Sequence, residues 1–128
     1  MIVDQGSIVL IRRRFEPLAG RWTLPGGALE LGETLEVGVA REILEETGLE
    51  VRVGPLIEVF DRITRDEESR VRYHFVLADY LCWPTGGRLG PGSDVDEAVL
   101  VSVERLKEFD LTEKATSVIE RGLALNRR

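Results

Sequence analysis

Three glutamates, Glu42, Glu45 and Glu46, are the residues of this chain whose types and spacing point most directly to chemistry. On a helix they fall on one side, together with Gly38. Glu42 and Glu46 form a like-charged i,i+4 pair, which costs about 0.2–0.5 kcal/mol, and neither has a Lys or Arg one turn away. Hard divalent cations such as Mg²⁺ prefer converging carboxylates, and the glycine leaves room for an ion and an anionic ligand. The alternative is the solvated acidic surface of an ordinary helix.

The glutamates belong to a longer motif in residues 27–49, GALELGETLEVGVAREILEETGL. Gly27 is followed six positions later by Glu33. The pairs Arg41-Glu42 and Glu45-Glu46 and then Gly48 come next in the motif. An apolar residue follows the Arg-Glu pair, and another follows the last glycine. This spacing resembles the signature of the Nudix hydrolase family at every fixed position. The preceding segments 10–13 (LIRR) and 20–27 (GRWTLPGG) also look like the usual lead-in.

The resemblance implies an α/β fold, a Nudix-type α/β/α sandwich with a mixed β-sheet. It also implies Mg²⁺-dependent hydrolysis of a phosphoanhydride in a nucleoside diphosphate linked to another moiety, with Mn²⁺ as a substitute ion. The segment 18–22 (LAGRW) is most similar to ADP-ribose pyrophosphatases and favours an ADP-ribose-like substrate. Nucleoside triphosphates and dinucleoside polyphosphates are the alternative substrates. A non-catalytic nucleotide-binding Nudix module is the alternative to an enzyme.

The resemblance also assigns roles to the motif residues. The three glutamates match the family's metal ligands, and one of them is expected to orient or deprotonate the attacking water. Arg41 matches the residue that pairs with a glutamate of the motif and holds it in place, and Glu33 is the expected partner. The alternative for Arg41 is an ordinary i,i+4 pair with Glu45. The backbone of Gly26 and Gly27 resembles the turn that supplies a carbonyl to the metal and contacts substrate.

Family members often use a further acid after the central hairpin as a ligand or general base. Glu97, expected just before the last strand, is the best match, and Asp94 and Asp96 are its rivals. Arg12, Arg13 and Arg14 end a predicted strand, and we expect Arg12 or Arg13 to contact a substrate phosphate through charge-assisted hydrogen bonds. A solvated position is the alternative for each of these acids and arginines.

Other conspicuous residues favour structural roles. His74 has no Cys or second His with which to form a metal site, so a half-buried strand position is expected. Trp22 and Trp83 are expected to pack in the interior instead of stacking on a base. The glycine-rich segment 85–92 lacks the Lys-Ser/Thr ending of a Walker-type loop and is not interpreted as a P-loop.

Composition limits the class of protein. A 128-residue chain suits one domain, 1–128, that can bury a sufficient core. The net charge of −6 argues against a general nucleic-acid-binding surface, but segment 27–49 alone holds six acids and one base. No apolar stretch approaches the ~20 residues of a membrane span. The lone Cys82 is expected to be a buried thiol, as in a reducing cytoplasm.

The elements that must position these residues can be read from the pattern. We predict strands at 1–3, 7–11 and 28–31, a helix at 35–47 capped by Thr34 and Gly48, and a hairpin of 50–64 with 71–81. An irregular loop at 83–94, a last strand at 96–103, a helical turn at 104–106 and a helix at 112–125 follow. The apolar side of the first helix is expected to face the core; it contains Val37, Val39, Ala40, Ile43 and Leu44.

The N-terminal edge is short for the family. Only three residues precede the turn at Asp4–Gly6, fewer than in the family's usual first strand. Either the sequence begins late, or another element completes that edge of the sheet. A partner chain in a homodimer is one such element.

Overall fold

The computed structural model describes all 128 residues and contains six strands, two α-helices and one 3₁₀ helix. The strands are β1 (Val3–Asp4), β2 (Ser7–Arg13), β3 (Trp22–Thr23), β4 (Leu49–Arg65), β5 (Val71–Gly87) and β6 (Val95–Ser102). The helices are α1 (Leu35–Thr47), the 3₁₀ helix (Val103–Phe109) and α2 (Glu113–Asn126). No helix has the length and apolar character needed to cross a membrane.

Strand β2 is the centre of the first sheet, where β1, β3 and β6 all pair with it in antiparallel orientation. Strands β4 and β5 form a separate long antiparallel hairpin. The two sheets meet at a parallel bridge between Ile2 and Cys82, where the Cys82 N–H donates to the Met1 carbonyl at 2.8 Å. The edge beside β1 is therefore met by β5 of the same chain, which is the kind of element that the sequence analysis allowed for, while the homodimer stays a prediction.

Side-chain alternation along β2 separates two apolar layers. Ile8 and Leu10 pack with Val118 and Ile119 of α2, whereas Val9 packs with Ile43 of α1. Because successive residues of a strand point to opposite faces, the two helices must lie on opposite sides of the sheet. The structure thus confirms the predicted α/β/α arrangement.

Helix α1 has the predicted ends, since Thr34 Oγ1 accepts from the Val37 N–H at 3.2 Å and Gly48 adopts a left-handed φ of 75°. The prediction of its buried side was partly wrong. Val37 and Leu44 are exposed, whereas Gly38 and Glu46 of the acidic side are buried. The burial of the acidic side is tertiary, because Leu29 of the preceding loop packs onto Gly38 and the Gly26 N–H donates to Glu46.

Two other predictions of local structure were also wrong. Residues 28–31 are not a strand, because the Ala28 carbonyl accepts from Arg41 and the Glu30 N–H donates to the Glu33 side chain instead of to a neighbouring strand. Residues 83–87 are not a loop but the end of β5, because β4 continues to pair with them. Pairing with β4, which continues through local register shifts, thus overrides the preference of glycine and proline for loops.

The C-terminal elements follow the prediction closely. Strand β6 leads directly into the 3₁₀ helix, and α2 is capped by Thr112, whose Oγ1 accepts from the Ala115 N–H at 3.1 Å. Val118, Ile119 and Gly122 of α2 are buried. The free thiol of Cys82 is buried, also as expected.

Candidate functional site

The Gly26–Gly27 turn lies against the acidic side of α1. The Gly26 N–H donates to Glu46 Oε1 at 2.6 Å. A Cβ atom at Gly27 would overlap the Glu42 carboxylate, so only glycine allows the backbone to approach it this closely. The carboxylates of Glu42 and Glu46, which are four residues apart on α1, therefore both contact the Gly26–Gly27 segment.

Arg41 holds this loop and the helix together. Its Nε and Nη2 donate to Glu33 at 2.6 and 2.8 Å in a bidentate pair, and Nη2 also donates to the Ala28 carbonyl at 2.9 Å. Charge-assisted bidentate pairs are strong and fix geometry. The structure therefore contains the Arg41–Glu33 contact that the resemblance implied, while its role in a reaction stays a prediction.

The remaining nitrogen of Arg41 contacts the acidic side directly. Nη1 lies 2.9 Å from Glu42, 3.2 Å from Glu45 and 3.5 Å from Glu30. The expectation that Glu42 lacks a protein counter-charge was therefore wrong, because its sequence neighbour supplies one. Glu45 is more than half exposed, and no group of three His, Cys, Asp or Glu side chains is arranged to hold a metal ion.

Two carboxylates of the site have shifted pKa values. Burial raises the pKa of Glu46 to about 7, the charges of Glu42 and Asp94 add to this, and the Gly26 N–H and the charge of Arg13 oppose it. Hydrogen bonds from Arg41 lower the pKa of Glu33. The site thus combines one carboxyl group that is costly to ionise with one that is held as an anion.

Asp94 and Arg13 are the residues from outside the motif whose charges act on Glu46. Arg13 also donates from Nε to the Pro17 carbonyl at 2.6 Å. Both residues are sequence-predicted candidates, Arg13 for substrate and Asp94 as a rival for the extra acid. Both charges act on the carboxylate of Glu46, which contacts the Gly26–Gly27 turn.

Glu97 and Arg12 pair with each other. Glu97 lies inside β6, and its carboxylate is 3.1 Å from Arg12 Nε because β2 and β6 place the two residues opposite each other. Arg14 forms a similar exposed pair with Asp96 at 2.9 Å. These two ion pairs thus involve acids and arginines that were candidates for contact with a ligand.

A family comparison identifies the motif. The model described as "NUDIX domain" matches residues 1–122. The chain belongs to the Nudix family.

Similar proteins carry activity names of more than one kind. An ADP-ribose pyrophosphatase of Methanocaldococcus jannaschii is 38% identical over 109 residues, covering 85% of this chain and 62% of that protein. A putative 8-oxo-dGTP diphosphatase 2 of Mycobacterium tuberculosis is 39% identical over 111 residues, covering 73% of this chain and 74% of that protein. The chain therefore spans less than two thirds of the length of the first of these relatives.

A solved Nudix structure agrees with the fold. The MutT NUDIX hydrolase from Burkholderia pseudomallei superposes with a TM-score of 0.79 and 31% identity, covering 94% of this chain and 91% of that one. The predicted α/β/α fold and Nudix membership are both confirmed.

The sequence analysis missed two participants in the Nudix site. Glu30 is a fourth acid beside Arg41, and the Ala28 carbonyl is an acceptor for the same side chain. The high density of acids in segment 27–49 was a signal for Glu30. A backbone carbonyl carries no signal in sequence, because every residue has one.

The two tryptophans and His74 contact neighbouring side chains. Trp22 packs edge-on against Phe109 with ring centroids 5.1 Å apart, and Trp83 Nε1 donates to Asn126 at 2.8 Å. His74 is more exposed than expected and lies 3.1 Å from Asp61. None of these three is among the residues that contact the Nudix glutamates.

Proposed function

We propose that this chain is a single Nudix domain, 1–128, that hydrolyses a phosphoanhydride bond in a nucleoside diphosphate linked to another moiety. The observation that carries the proposal is the meeting of Glu42 and Glu46 at the Gly26–Gly27 turn. A bound anionic substrate needs positive charge at this position, and the family is generally dependent on divalent metal ions. Mg²⁺ is the proposed ion, with Mn²⁺ as a substitute.

The donor types at the turn suit such an ion, because Mg²⁺ prefers carboxylate and carbonyl oxygens. The carboxylates must still move to converge on one point. Glu42, Glu45, Glu46 and the Gly27 carbonyl are the proposed ligands. A divalent cation bound there supplies neutralisation of the diphosphate charge and of the charge that builds on the leaving oxygen. Glu42 and Glu45 can bind the ion only if Arg41 Nη1 moves away from their carboxylates. The bidentate pair of Arg41 with Glu33 can remain in place during this movement.

The protein residues have separate proposed tasks. Arg41 and Glu33 keep the loop fixed on α1, so that the turn and the glutamates retain one geometry. Arg13 is favoured over Arg12 for contact with a substrate phosphate, since Arg12 is paired with Glu97. Asp94 is favoured over Glu97 as the additional acid, because its charge reaches Glu46.

An ADP-ribose-like substrate is favoured by the segment 18–22 and by the relative named ADP-ribose pyrophosphatase. The second candidate is a nucleoside triphosphate, favoured by the relative named 8-oxo-dGTP diphosphatase. The buried free thiol of Cys82 is consistent with the proposed cytoplasmic location, since reducing compartments keep thiols free.

The test is a hydrolysis panel of ADP-ribose, NADH, a dinucleoside tetraphosphate, sugar nucleotides and triphosphates with Mg²⁺. The variants Glu45→Gln and Glu46→Gln should each lower kcat by about a hundredfold or more, because removing even outer partners of metal ligands costs ~10–100-fold. Glu120→Gln, an exposed position on α2, is the matched control and should retain activity.

Two outcomes would contradict the proposal. Wild-type turnover in both glutamine variants would exclude the assigned ligands, and no hydrolysis of any compound would favour a binding module. Preferential hydrolysis of triphosphates would support the second candidate over the first.

A further inference from the structure

The glycine-rich segment that follows β5 closes the C-terminal end of α1. The last carbonyls of a helix have no partner within it, and α1 has no basic residue in its last turn. Three consecutive carbonyls at this end are instead bound by backbone N–H groups of residues 88–92, which we call the strap. The donor and acceptor pairs, at 3.2, 2.9 and 3.1 Å, are Arg88 with Gly48, Gly90 with Thr47, and Gly92 with Glu46.

The strap lies against the helix at Gly92. A Cβ atom at Gly92 would overlap the backbone carbonyl of Glu45, which cannot rotate away as the end of a side chain can. At Gly90 a Cβ atom would meet nothing, and neither glycine has a left-handed φ. Leu89, between them and Arg88, packs against the apolar cluster that contains Ile43 of α1. The strap is therefore attached to α1 by backbone contact and by one apolar side chain.

Arg14 holds the chain just beyond the strap. Its Nη1 donates to the Ser93 carbonyl at 2.8 Å, and its Nε donates to the Asp96 carboxylate at 2.9 Å. Asp94 lies between these two contacts and only two residues after Gly92. Because a residue spans at most ~3.6 Å of extended chain, the backbone of Asp94 stays within about 7 Å of Gly92. The strap and Arg14 together limit where Asp94 can lie relative to the last turn of α1.

We propose that Gly92 and Arg14 are positioning residues of the candidate site. Gly92 fixes the strap on the last turn of α1, which carries Glu45 and Glu46. Arg14 fixes the segment that carries Asp94, so that this acid and the helix keep one geometry. The inference rests on the proposed function, in which Asp94 is the additional acid, and it gives the glycine-rich segment a task at that site.

Isothermal titration calorimetry with Mg²⁺ alone tests the role of Gly92 without any substrate. Gly92→Ala should weaken Mg²⁺ binding about tenfold or more, because loss of the outer partners of metal ligands costs ~10–100-fold in affinity. Gly90→Ala is the matched control, since it keeps the N–H and its Cβ meets no atom. It should bind Mg²⁺ as the wild type does. Equal affinities of the two variants would overturn the proposal for Gly92.

Arg14→Gln tests the second residue, and its effect on Mg²⁺ binding has opposite signs under two roles. Loss of a nearby positive charge alone would strengthen the binding of a cation, whereas loss of the position of Asp94 weakens it. We expect binding to weaken about threefold or more, and in an Asp94→Asn background the same change should no longer weaken it. The midpoint of urea unfolding should hardly change, because exposed ion pairs add little stability. Tighter or unchanged binding in Arg14→Gln, or equal weakening in both backgrounds, would overturn its role.

Amide hydrogen exchange tests the strap even if Gly92→Ala does not fold. In the wild type the N–H of Gly92 should exchange more slowly than that of Glu67, which has no hydrogen-bond acceptor in the hairpin turn. Equally fast exchange at both positions would overturn the proposal.

The outcomes separate this inference from the proposed function. A wild type that binds Mg²⁺ but hydrolyses no compound would contradict only the proposed hydrolysis. A wild type that binds no Mg²⁺ would contradict both proposals. Normal hydrolysis in Gly92→Ala and in Arg14→Gln would contradict the positioning roles alone.

Discussion

At the residue scale, Arg41 is the most highly connected side chain of the site. One edge of its guanidinium is committed to Glu33 and the Ala28 carbonyl, and the other contacts Glu42 and Glu45. These hydrogen bonds raise the pKa of Arg41 even further above its ordinary range, so it is always charged. A lysine could not replace it, because a single ammonium cannot span the loop and the helix with the same fork geometry.

The contact between Gly27 and Glu42 gives a prediction at this scale. In Gly27→Ala the new Cβ would overlap the Glu42 carboxylate, the far end of a flexible side chain. The carboxylate can swing away, so the free energy of unfolding should change by about 0.5 kcal/mol or less. Displacement of a catalytic group by about 1 Å can cost ~10²-fold, so kcat should fall by about that factor.

Steady-state kinetics and urea unfolding measure the two effects separately. Gly90→Ala is the control, since a Cβ there meets no atom and it should change neither quantity. Loss of stability in Gly27→Ala without loss of kcat would contradict the interpretation.

At the element scale, α2 is attached to the hairpin by polar contacts as well as by its apolar side. Glu58 of β4 accepts from Arg121 at 2.7 Å and pairs with Lys114, whose ammonium also lies 4.4 Å from the centre of the Phe60 ring. These positive charges lower the pKa of Glu58, and the hydrogen bond from Lys114 is the largest cause. The ion pairs thus help to fix the angle at which α2 lies on β4.

Glu58→Gln should therefore destabilise the fold in a pH-dependent manner. A carboxyl group whose pKa is lowered by folding contributes stability above its unfolded pKa of about 4.3, and loses it as pH falls through the folded value. The variant should be less stable than wild type at neutral pH, and the difference should vanish at more acidic pH. Thermal unfolding across pH measures this. Glu67→Gln, in the exposed hairpin turn, is the control, and a pH-independent difference for Glu58→Gln would contradict the argument.

At the scale of the whole molecule, charge is distributed unevenly. Segment 27–49 holds nearly all of the net charge of −6, and it surrounds one arginine. Folding therefore concentrates acids around the Gly26–Gly27 turn. Repulsion between these carboxylates lowers the free energy of unfolding until a positive charge binds there.

Mg²⁺ should consequently raise the melting temperature. A ligand that binds only the folded state raises the free energy of unfolding by about 2.7 kcal/mol when its free concentration is a hundred times its Kd. Differential scanning calorimetry with and without Mg²⁺, at matched ionic strength, measures the shift, and EDTA should reverse it. Glu46→Gln should show a smaller shift than wild type. An equal shift in both proteins, or none in wild type, would count against the proposed ligands.

The local features of the fold were predictable because their causes are local. Thr34 and Gly48 delimit α1 through hydrogen bonding and backbone conformation within a few residues of each helix end. The Arg41–Glu33 pair was reached only through the family resemblance, because the two residues are eight positions apart across a loop. Helix periodicity alone would have favoured Glu45 as the partner of Arg41.

Sequence alone determined the ends of the helices, the order of the elements and the Nudix motif, since capping, periodicity and spacing act along the chain. Tertiary structure decided which sides of the helices are buried and which acids form ion pairs. Leu29 packs onto Gly38 of the acidic side, whereas Leu44 of the apolar side is exposed. The register of β2 and β6 places Glu97 opposite Arg12, whereas the charge of Asp94 contributes to the raised pKa of Glu46. Burial and ion pairing depend on which segments meet in space, and distant segments meet only when the sheet has formed.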